Sequence, residues 1–226
     1  MQFTYFGHAC FLVEVNQKKL LFDPFISGNE LAKHIQIDEI EADYIFISHG
    51  HLDHILDCEA IALRTGAKVI CTWEIHEWLN NKGVSNTHPM NLGGSWNFEE
   101  FSVRCVNAIH SSSLPDGSYG GNPMGFIVSS NNESFYYSGD TALTLDMQLI
   151  PKWAKLKFAV LPIGSNFTMN AADAVMAADL IQCEQIIGVH YDTFGYIKID
   201  HEATKNIFKQ AGLQLHLLQI EESIDL

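Results

Sequence analysis

Charge is what this chain has least of. Only 18% of its 226 residues are Asp, Glu, Lys or Arg, and 13 basic residues stand against 27 acidic ones, a formal net charge of −14. That shortage of Lys and Arg excludes a protein that grips nucleic acid through its phosphates, which takes a basic footprint. Anionic small molecules stay open as substrates, because bound metal cations can set the local sign of charge. Long apolar runs are missing too. No stretch approaches the roughly 18 apolar residues needed to span a bilayer, and Met1–His8 has neither the basic stretch nor the long apolar core of a signal peptide. There is no low-complexity tract, no charge block and no linker, so residues 1–226 read as one domain. The five cysteines (Cys10, Cys58, Cys71, Cys105 and Cys183) form no C-x-x-C pair, and an odd number cannot all pair within one chain. Four of them sit in apolar stretches as small buried thiols, which points to a reduced, cytoplasmic, soluble protein with no membrane partner. A hydrophobic content of 47% is too high for a disordered chain.

What is present is an alternation of strands and helices in two comparable halves. Gln2–Phe6, Cys10–Val15, Lys19–Phe22 and Tyr44–Ile47 read as strands, followed by a helix over Ile55–Arg64 closed by Gly66. Lys68–Cys71 is a further strand, and Thr72 caps a helix from Trp73 to Leu79. The second half offers strands at Phe101–Ala108, Met124–Val128, Ser134–Tyr137, Phe158–Leu161 and Gln185–Val189, with Leu213–Leu218 closing the chain. Helices are expected over Leu145–Trp153, where Pro151 marks a break, from the Asn170 cap to Ile181, and over His201–Gln210. This grammar implies an α/β layered sandwich, with helices outside paired sheets.

The sharpest feature is Ser48-His49-Gly50-His51-Leu52-Asp53-His54, directly after the apolar strand ending at Ile47. At this chain's own His and Asp frequencies, H-x-H-x-D-H arises by chance about once in a thousand such chains. A strand end projects alternate residues to one side, so His49 and His51 can share a metal. Asp53 and His54 fall at the turn into the next helix and can face a second one. Neutral imidazoles with a carboxylate suit a borderline cation such as zinc. Three more candidates follow expected strands: His110, Asp140 and His190. Each alone reads as a structural His or a Gly-Asp turn, but their recurrence at strand ends makes a set of seven.

The chain resembles the metallo-β-lactamase superfamily, and within it a group of small bacterial and archaeal metal-dependent hydrolases. The resemblance runs over nearly the whole length, through YFGHACF (Tyr5–Phe11), LFDPF (Leu21–Phe25), His49–His54, HPMN (His88–Asn91), GGSW (Gly93–Trp96), HSSS (His110–Ser113), GGNP (Gly120–Pro123), SGDT (Ser138–Thr141), LPIGSNFTM (Leu161–Met169) and HYDTF (His190–Phe194). It implies the four-layer αβ/βα sandwich, two mixed sheets flanked by helices. By matched position, His49, His51 and His110 bind a first metal, Asp53, His54 and His190 a second, and Asp140 bridges them. Asp23 matches the superfamily's early Asp that supports the ligand loop. His8 matches a His of the same group, with a place near the metals or the substrate.

The implied chemistry is hydrolysis of an ester, lactone or phosphoester in a small molecule. Two divalent ions, zinc first with manganese or iron as alternatives, share a water and lower its pKa from 15.7 towards about 7. Asp53 is the residue placed to orient that nucleophile. Superfamily members with redox chemistry carry Glu at the position of His51, and nuclease members carry a large insertion that this chain lacks. Two other readings compete: an oxygenase using one iron on the same scaffold, and a binding protein that keeps a structural metal. Metal content separates the first, and an Asp140→Ala variant that keeps function would favour the second. A homo-oligomer is compatible with the sequence, which identifies no interface. Softer signals are Ser111–Pro123, long enough for a lid, with Tyr119 or Asn122 as contacts, and Gly164–Thr168, whose N–H groups are candidates to cradle an anion. Tyr191 and Phe194 line a pocket or pack a sheet edge, and His88 before Pro89 reads as loop.

Overall fold

The computed structural model describes Met1–Leu226 as two sheets of seven strands each. The first holds β1 (Gln2–Gly7), β2 (Cys10–Val15), β3 (Lys18–Phe22), β4 (Tyr44–Phe46), β5 (Lys68–Thr72) and β6 (Thr87–Met90), and β14 (Ser223–Asp225) returns from the chain's end to lie beside β1. The second holds β7 (Ser95–Asn97), β8 (Ser102–Asn107), β9 (Met124–Ser130), β10 (Glu133–Tyr137), β11 (Leu156–Pro162), β12 (Gln185–Val189) and β13 (Gln214–His216). Their spatial orders are β14-β1-β2-β3-β4-β5-β6 and β13-β12-β11-β10-β9-β8-β7.

The period of two along each strand explains the layers. Leu20 and Phe22 of β3 face the second sheet, whereas Leu21 between them faces the helices. Phe158 and Val160 of β11 face inward while Ala159 and Leu161 face out. The inter-sheet layer is aromatic. Phe3, Phe11, Phe22 and Phe46 stack across β1 to β4 with successive ring centroids 4.9, 4.6 and 4.5 Å apart, and Phe126, Phe135, Tyr137 and Phe158 meet them from the second sheet. Outside the first sheet lie α2 (Cys58–Thr65) and α3 (Trp73–Asn81), which contribute Ile61, Ile75 and Leu79. Outside the second lie α5 (Ala171–Ile181), whose Ala174, Ala177 and Ala178 let it sit close to the strands, and α6 (His201–Gln210) with Phe208. This is the four-layer αβ/βα sandwich expected from the sequence.

Strand direction places the site. β3 and β4 are parallel, and β1 reaches the same sense through two antiparallel pairings by way of β2. In the second sheet β10, β11 and β12 are parallel, and β8 shares their sense through β9. Segments following β1, β3, β4, β8, β10 and β12 therefore issue from the C-terminal edges of their strands, where open α/β sheets gather ligands.

Several expectations need correction. The helix expected over Ile55–Arg64 is two, α1 (Leu52–Ile55) and α2, because Asp57 between them accepts the Ile26 and Ser27 N–H groups at 2.6 and 2.9 Å. Over Leu145–Trp153 a 3-10 turn (Leu145–Leu149) precedes α4 (Ile150–Trp153), and Pro151 opens that helix, where its missing N–H is harmless. His88 and Pro89 lie in β6, not a loop; β6 is an edge strand, which tolerates proline. The closing strand is β14 rather than Leu213–Leu218, of which only Gln214–His216 pairs. All five cysteines are buried and free. No helix is long and apolar enough to cross a membrane.

Candidate metal centre

Asp23 organises the ligand loop. It follows β3 in a left-handed conformation (φ 41°), so its carboxylate turns under the end of β4 and is wholly buried. Oδ1 accepts the Ser48 N–H at 2.7 Å; Oδ2 accepts from the Ser48 hydroxyl at 2.6 Å, His54 Nδ1 at 2.8 Å and the Tyr137 hydroxyl at 2.6 Å. Burial and the charge of Asp23 push the Tyr137 phenol well above its ordinary pKa, so it stays protonated and donates. These bonds decide tautomers. With its proton given to Asp23, the Ser48 hydroxyl accepts from His49 Nδ1 at 2.9 Å, and His54 gives its Nδ1–H to Asp23. In both rings Nε2 is therefore the nitrogen turned away from these partners and towards the cluster.

Two groups of side chains converge there. His49, His51 and His110 bring one nitrogen each to within 4.8 Å of one another, with His49 Nε2 and His51 Nδ1 2.9 Å apart. Burial pushes the pKa of all three down, which keeps them neutral with lone pairs available. Asp53, His54, His190 and His8 form a second group on the same distance limit. Asp140, at the end of β10, touches both: its Oδ2 lies 2.9 Å from His190 Nε2, 3.3 Å from His54 Nε2 and 3.7 Å from His110 Nε2. All seven residues named as ligands from the sequence thus lie together, with Asp23 and His8 against them.

His8 stands in the turn between β1 and β2 with φ 55°, and its N–H-to-carbonyl neighbour is His190, whose backbone N–H donates to the His8 carbonyl at 2.8 Å. Burial, then the charge of His190, pushes its pKa down to about 4, so the ring is neutral at pH 7. A carboxylate only accepts, so the 3.1 Å contact with Asp53 Oδ2 takes the proton on His8 Nε2, and Nδ1 accepts from the Thr193 hydroxyl at 3.0 Å. Burial works to raise the Asp53 pKa, but the His8 hydrogen bond and the nearby imidazoles outweigh it and hold the group far below the carboxylate range.

A cation fits these residues. Asp23, Asp53 and Asp140 have no Lys or Arg partner; every ion-pair neighbour they have is an imidazole. Buried carboxylates without a compensating charge are expensive. Burial should lower the His54 pKa, yet the charges of Asp140 and Asp23 overcome it and raise it well above the ordinary value, so this point of the structure favours positive charge. His54 Nε2, Asp140 Oδ1 and His190 Nδ1 are buried with no hydrogen-bond partner. Imidazole nitrogens and carboxylate oxygens are the donors that zinc and its neighbours take.

Other expectations divide. Ser111–Pro123 is fastened rather than loose: Ser112 Oγ accepts the Gly50 N–H at 3.0 Å, Gly120 accepts from Thr72 Oγ1 at 2.7 Å, and Trp78 donates to Asp116 at 2.9 Å. Tyr119 donates to Asn122 at 2.7 Å and both face solvent. In the Gly164–Thr168 turn three N–H groups are engaged, that of Ser165 with the Met169 carbonyl and those of Phe167 and Thr168 with the Ser165 carbonyl at 2.6 and 3.5 Å, while those of Gly164 and Asn166 have no backbone acceptor. Asn170 caps α5 as expected, its side chain accepting the Asp173 N–H. Tyr191 is buried against Tyr5, while Phe194 is partly exposed beside His8. Sequence reading assigned no role to Tyr137, Thr193 or Phe167. Tyr137 could have been suspected from its place three residues before Asp140; nothing local marks the other two.

Residues 18–191 match the family model described as a beta-lactamase superfamily domain. Over the full length of both chains, the protein is 52% identical to a UPF0173 metal-dependent hydrolase of Christiangramia forsetii and 51% identical to one of Flavobacterium johnsoniae. Among solved structures it is similar to Igni18, a metallo hydrolase from the archaeon Ignicoccus hospitalis, with a TM-score of 0.89, 33% identity and coverage of 99% of this chain and 97% of that one. The chain belongs to the beta-lactamase superfamily and, within it, to the UPF0173 metal-dependent hydrolases.

Proposed function

We propose that this hydrolase works with two divalent cations in the His/Asp cluster. His49, His51 and His110 would hold the first, Asp53, His54 and His190 the second, with Asp140 reaching both. Zinc suits the donors best, and manganese or iron would be held by the same atoms. Asp140 carries the reading: its Oδ2 lies between 2.9 and 3.7 Å from ring nitrogens of both groups, and its Oδ1 is buried without a partner. Residues 1–226 act as one domain in this reading, since the cluster draws on segments from β1 to β12.

Bound there, two cations would supply a hydroxide nucleophile at neutral pH, by lowering the pKa of a shared water from 15.7 towards about 7, and would polarise the substrate's oxygen. The chain's own residues hold this chemistry in register. Asp23 fixes the Nδ1–H tautomer of His54 directly and that of His49 through Ser48, which aims both Nε2 lone pairs into the site. His8 occupies Asp53 Oδ2, leaving Oδ1 to orient the attacking water. Asp53 stays a carboxylate across the neutral range, so it accepts a hydrogen bond from that water and orients it. The substrate is a small ester, lactone or phosphoester.

The test is metal content per chain on protein purified without chelator, with turnover of an ester, a lactone and a phosphodiester. About two zinc or manganese ions per chain with turnover of one class is the expected result. A single iron without hydrolysis would replace this reading by the oxygenase, and protein that binds no metal would overturn it.

A further inference from the structure

We propose that the site selects uncharged carboxylic esters, lactones included, whose apolar or aromatic group lies on Phe167 and Tyr196 while the scissile carbonyl enters the cleft. This rests on the hydrolase reading above and narrows it. In the reaction the oxygen of water bonds to the carbonyl carbon and the bond from that carbon to the leaving oxygen breaks. The leaving oxygen keeps the electron pair and takes up a proton, giving a carboxylic acid and an alcohol.

The cleft over the cluster holds only about 190 Å³, and Phe167 is the one apolar side chain among its lining residues. Sites that swallow a whole small molecule run from about 300 to 1,000 Å³. Only the reacting group can therefore enter, and the rest of the substrate must lie on the rim. That rim is apolar. Phe167 is 51% exposed, Tyr196 78% and Phe194 38%, and the Phe167 and Tyr196 rings meet edge to face at 6.2 Å. Large exposed aromatic side chains grouped at the mouth of a cleft mark a binding surface more than a solvated one.

The backbone spends conformational energy to put Phe167 there. Ser165 and Asn166, side by side, both have positive φ (63° and 59°), which L residues rarely adopt, and the turn is pinned to the Asp140 segment by the Met169 N–H to the Thr141 carbonyl at 3.1 Å. The segment bearing Phe194 and Tyr196 likewise leaves β12 through His190 (φ 56°) and Asp192 (φ 62°). Two independent turns with positive φ thus set Phe167 at the opening and Tyr196 against it.

An anionic substrate finds nothing comparable. No Lys or Arg occurs between Lys33 and Arg64, between Arg104 and Lys152, or between Lys157 and Lys198, so the segments after β4, β8, β10, β11 and β12 that frame the cleft carry none. In the turn at Ser165–Met169 four of the five N–H groups are engaged with carbonyls.

The experiment compares ethyl phenylacetate, ethyl acetate and the anionic bis(4-nitrophenyl) phosphate as substrates of the metal-loaded full chain. It adds binding of benzyl methyl ketone, an uncharged ketone that cannot be hydrolysed, read from the aromatic ring resonances of Phe167 and Tyr196 by NMR. KM for the phenylacetate should be about ten-fold below that for the acetate, and F167A or Y196A should raise it about ten-fold with kcat held, while the acetate's KM moves by about two-fold or less. The ketone should shift both rings, and its Kd should rise by the same factor in F167A. A lower KM for the phosphodiester than for the phenylacetate, an unchanged KM in both variants, or a dimer that buries Phe167 and dissociates in F167A would each overturn the proposal. Should none of the substrates turn over, ring shifts with the ketone would uphold the apolar subsite and reject the hydrolase reading alone; no ring shifts would reject the subsite.

Discussion

The two sheets contribute to the centre in opposite ways. The first supplies His49, His51, Asp53 and His54 from six consecutive residues, with Asp23 and His8 braced against them. The second supplies His110, Asp140 and His190, each from a different strand end and spread over 81 residues, together with the aromatic rim of Phe167, Phe194 and Tyr196. The first sheet thus holds four candidate donors in one short segment, and the second brings three more beside them, along with the exposed aromatic side chains of the proposed subsite. The lesson is a division of labour. Local chain geometry suffices to cluster ligands, whereas completing and shaping the site depends on how two sheets meet.

The comparison predicts where the molecule breaks. Asp140→Ala removes the carboxylate that lies within 3.7 Å of three imidazoles drawn from both sheets, so metal analysis should find about one ion or fewer per chain, and hydrolysis should fall by roughly 10³ or more. Phe22→Ala attacks the packing that holds the sheets together. Phe22 is fully buried and stacks on Phe11 and Phe46 while its edges meet Phe126 and Phe135, so denaturant unfolding should show a loss of about 3–5 kcal/mol. Tyr137→Phe cuts only the hydroxyl that reaches from the second sheet to Asp23 in the first. It should lower metal affinity or activity about ten-fold and stability by about 1 kcal/mol, visible as metal loss at a lower chelator concentration.

The smallest effect contrasts the thiols of the two sides. Burial pushes Cys10, Cys58 and Cys71, under the first sheet, far above the ordinary thiol value, but Cys105 only to about 12 and Cys183 to about 11. A raised pKa means less thiolate at a given pH, so native protein at pH 8 should resist a thiol reagent, with Cys183 the first to react and all five reacting after denaturation. Mass mapping of the labelled cysteines checks the order.

How far the sequence reaches follows the same divide. The strands through Phe22 and Phe46 are legible because alternation and apolar runs are local signals, and His49–His54 is legible because four donors stand in one short segment. The Asn170 cap is legible for the same reason, its side chain accepting the Asp173 N–H three residues on. Pro151 misleads because a proline reads as a stop or as a first helical turn depending on which side the helix forms, and packing of Ile150 decides that. β6 is hidden by Pro89, acceptable only because no strand lies beyond it. β14 is invisible because its partner, β1, is some 220 residues away.

By itself, then, the chain's sequence determined the donor types, the cluster of four after β4, the alternation that makes each sheet two-faced, and the near absence of basic residues around the strand ends. Those depend on residue identity and near neighbours. Tertiary structure alone decided that His110, Asp140 and His190 arrive beside that cluster, that Tyr137 reaches Asp23 across the two sheets, that the Met169 N–H ties its turn to Thr141, and that Phe167 meets Tyr196. Each of these is a contact between segments distant along the chain. Its distance is set by strand order and sheet packing, for which no local pattern of residues carries a signal.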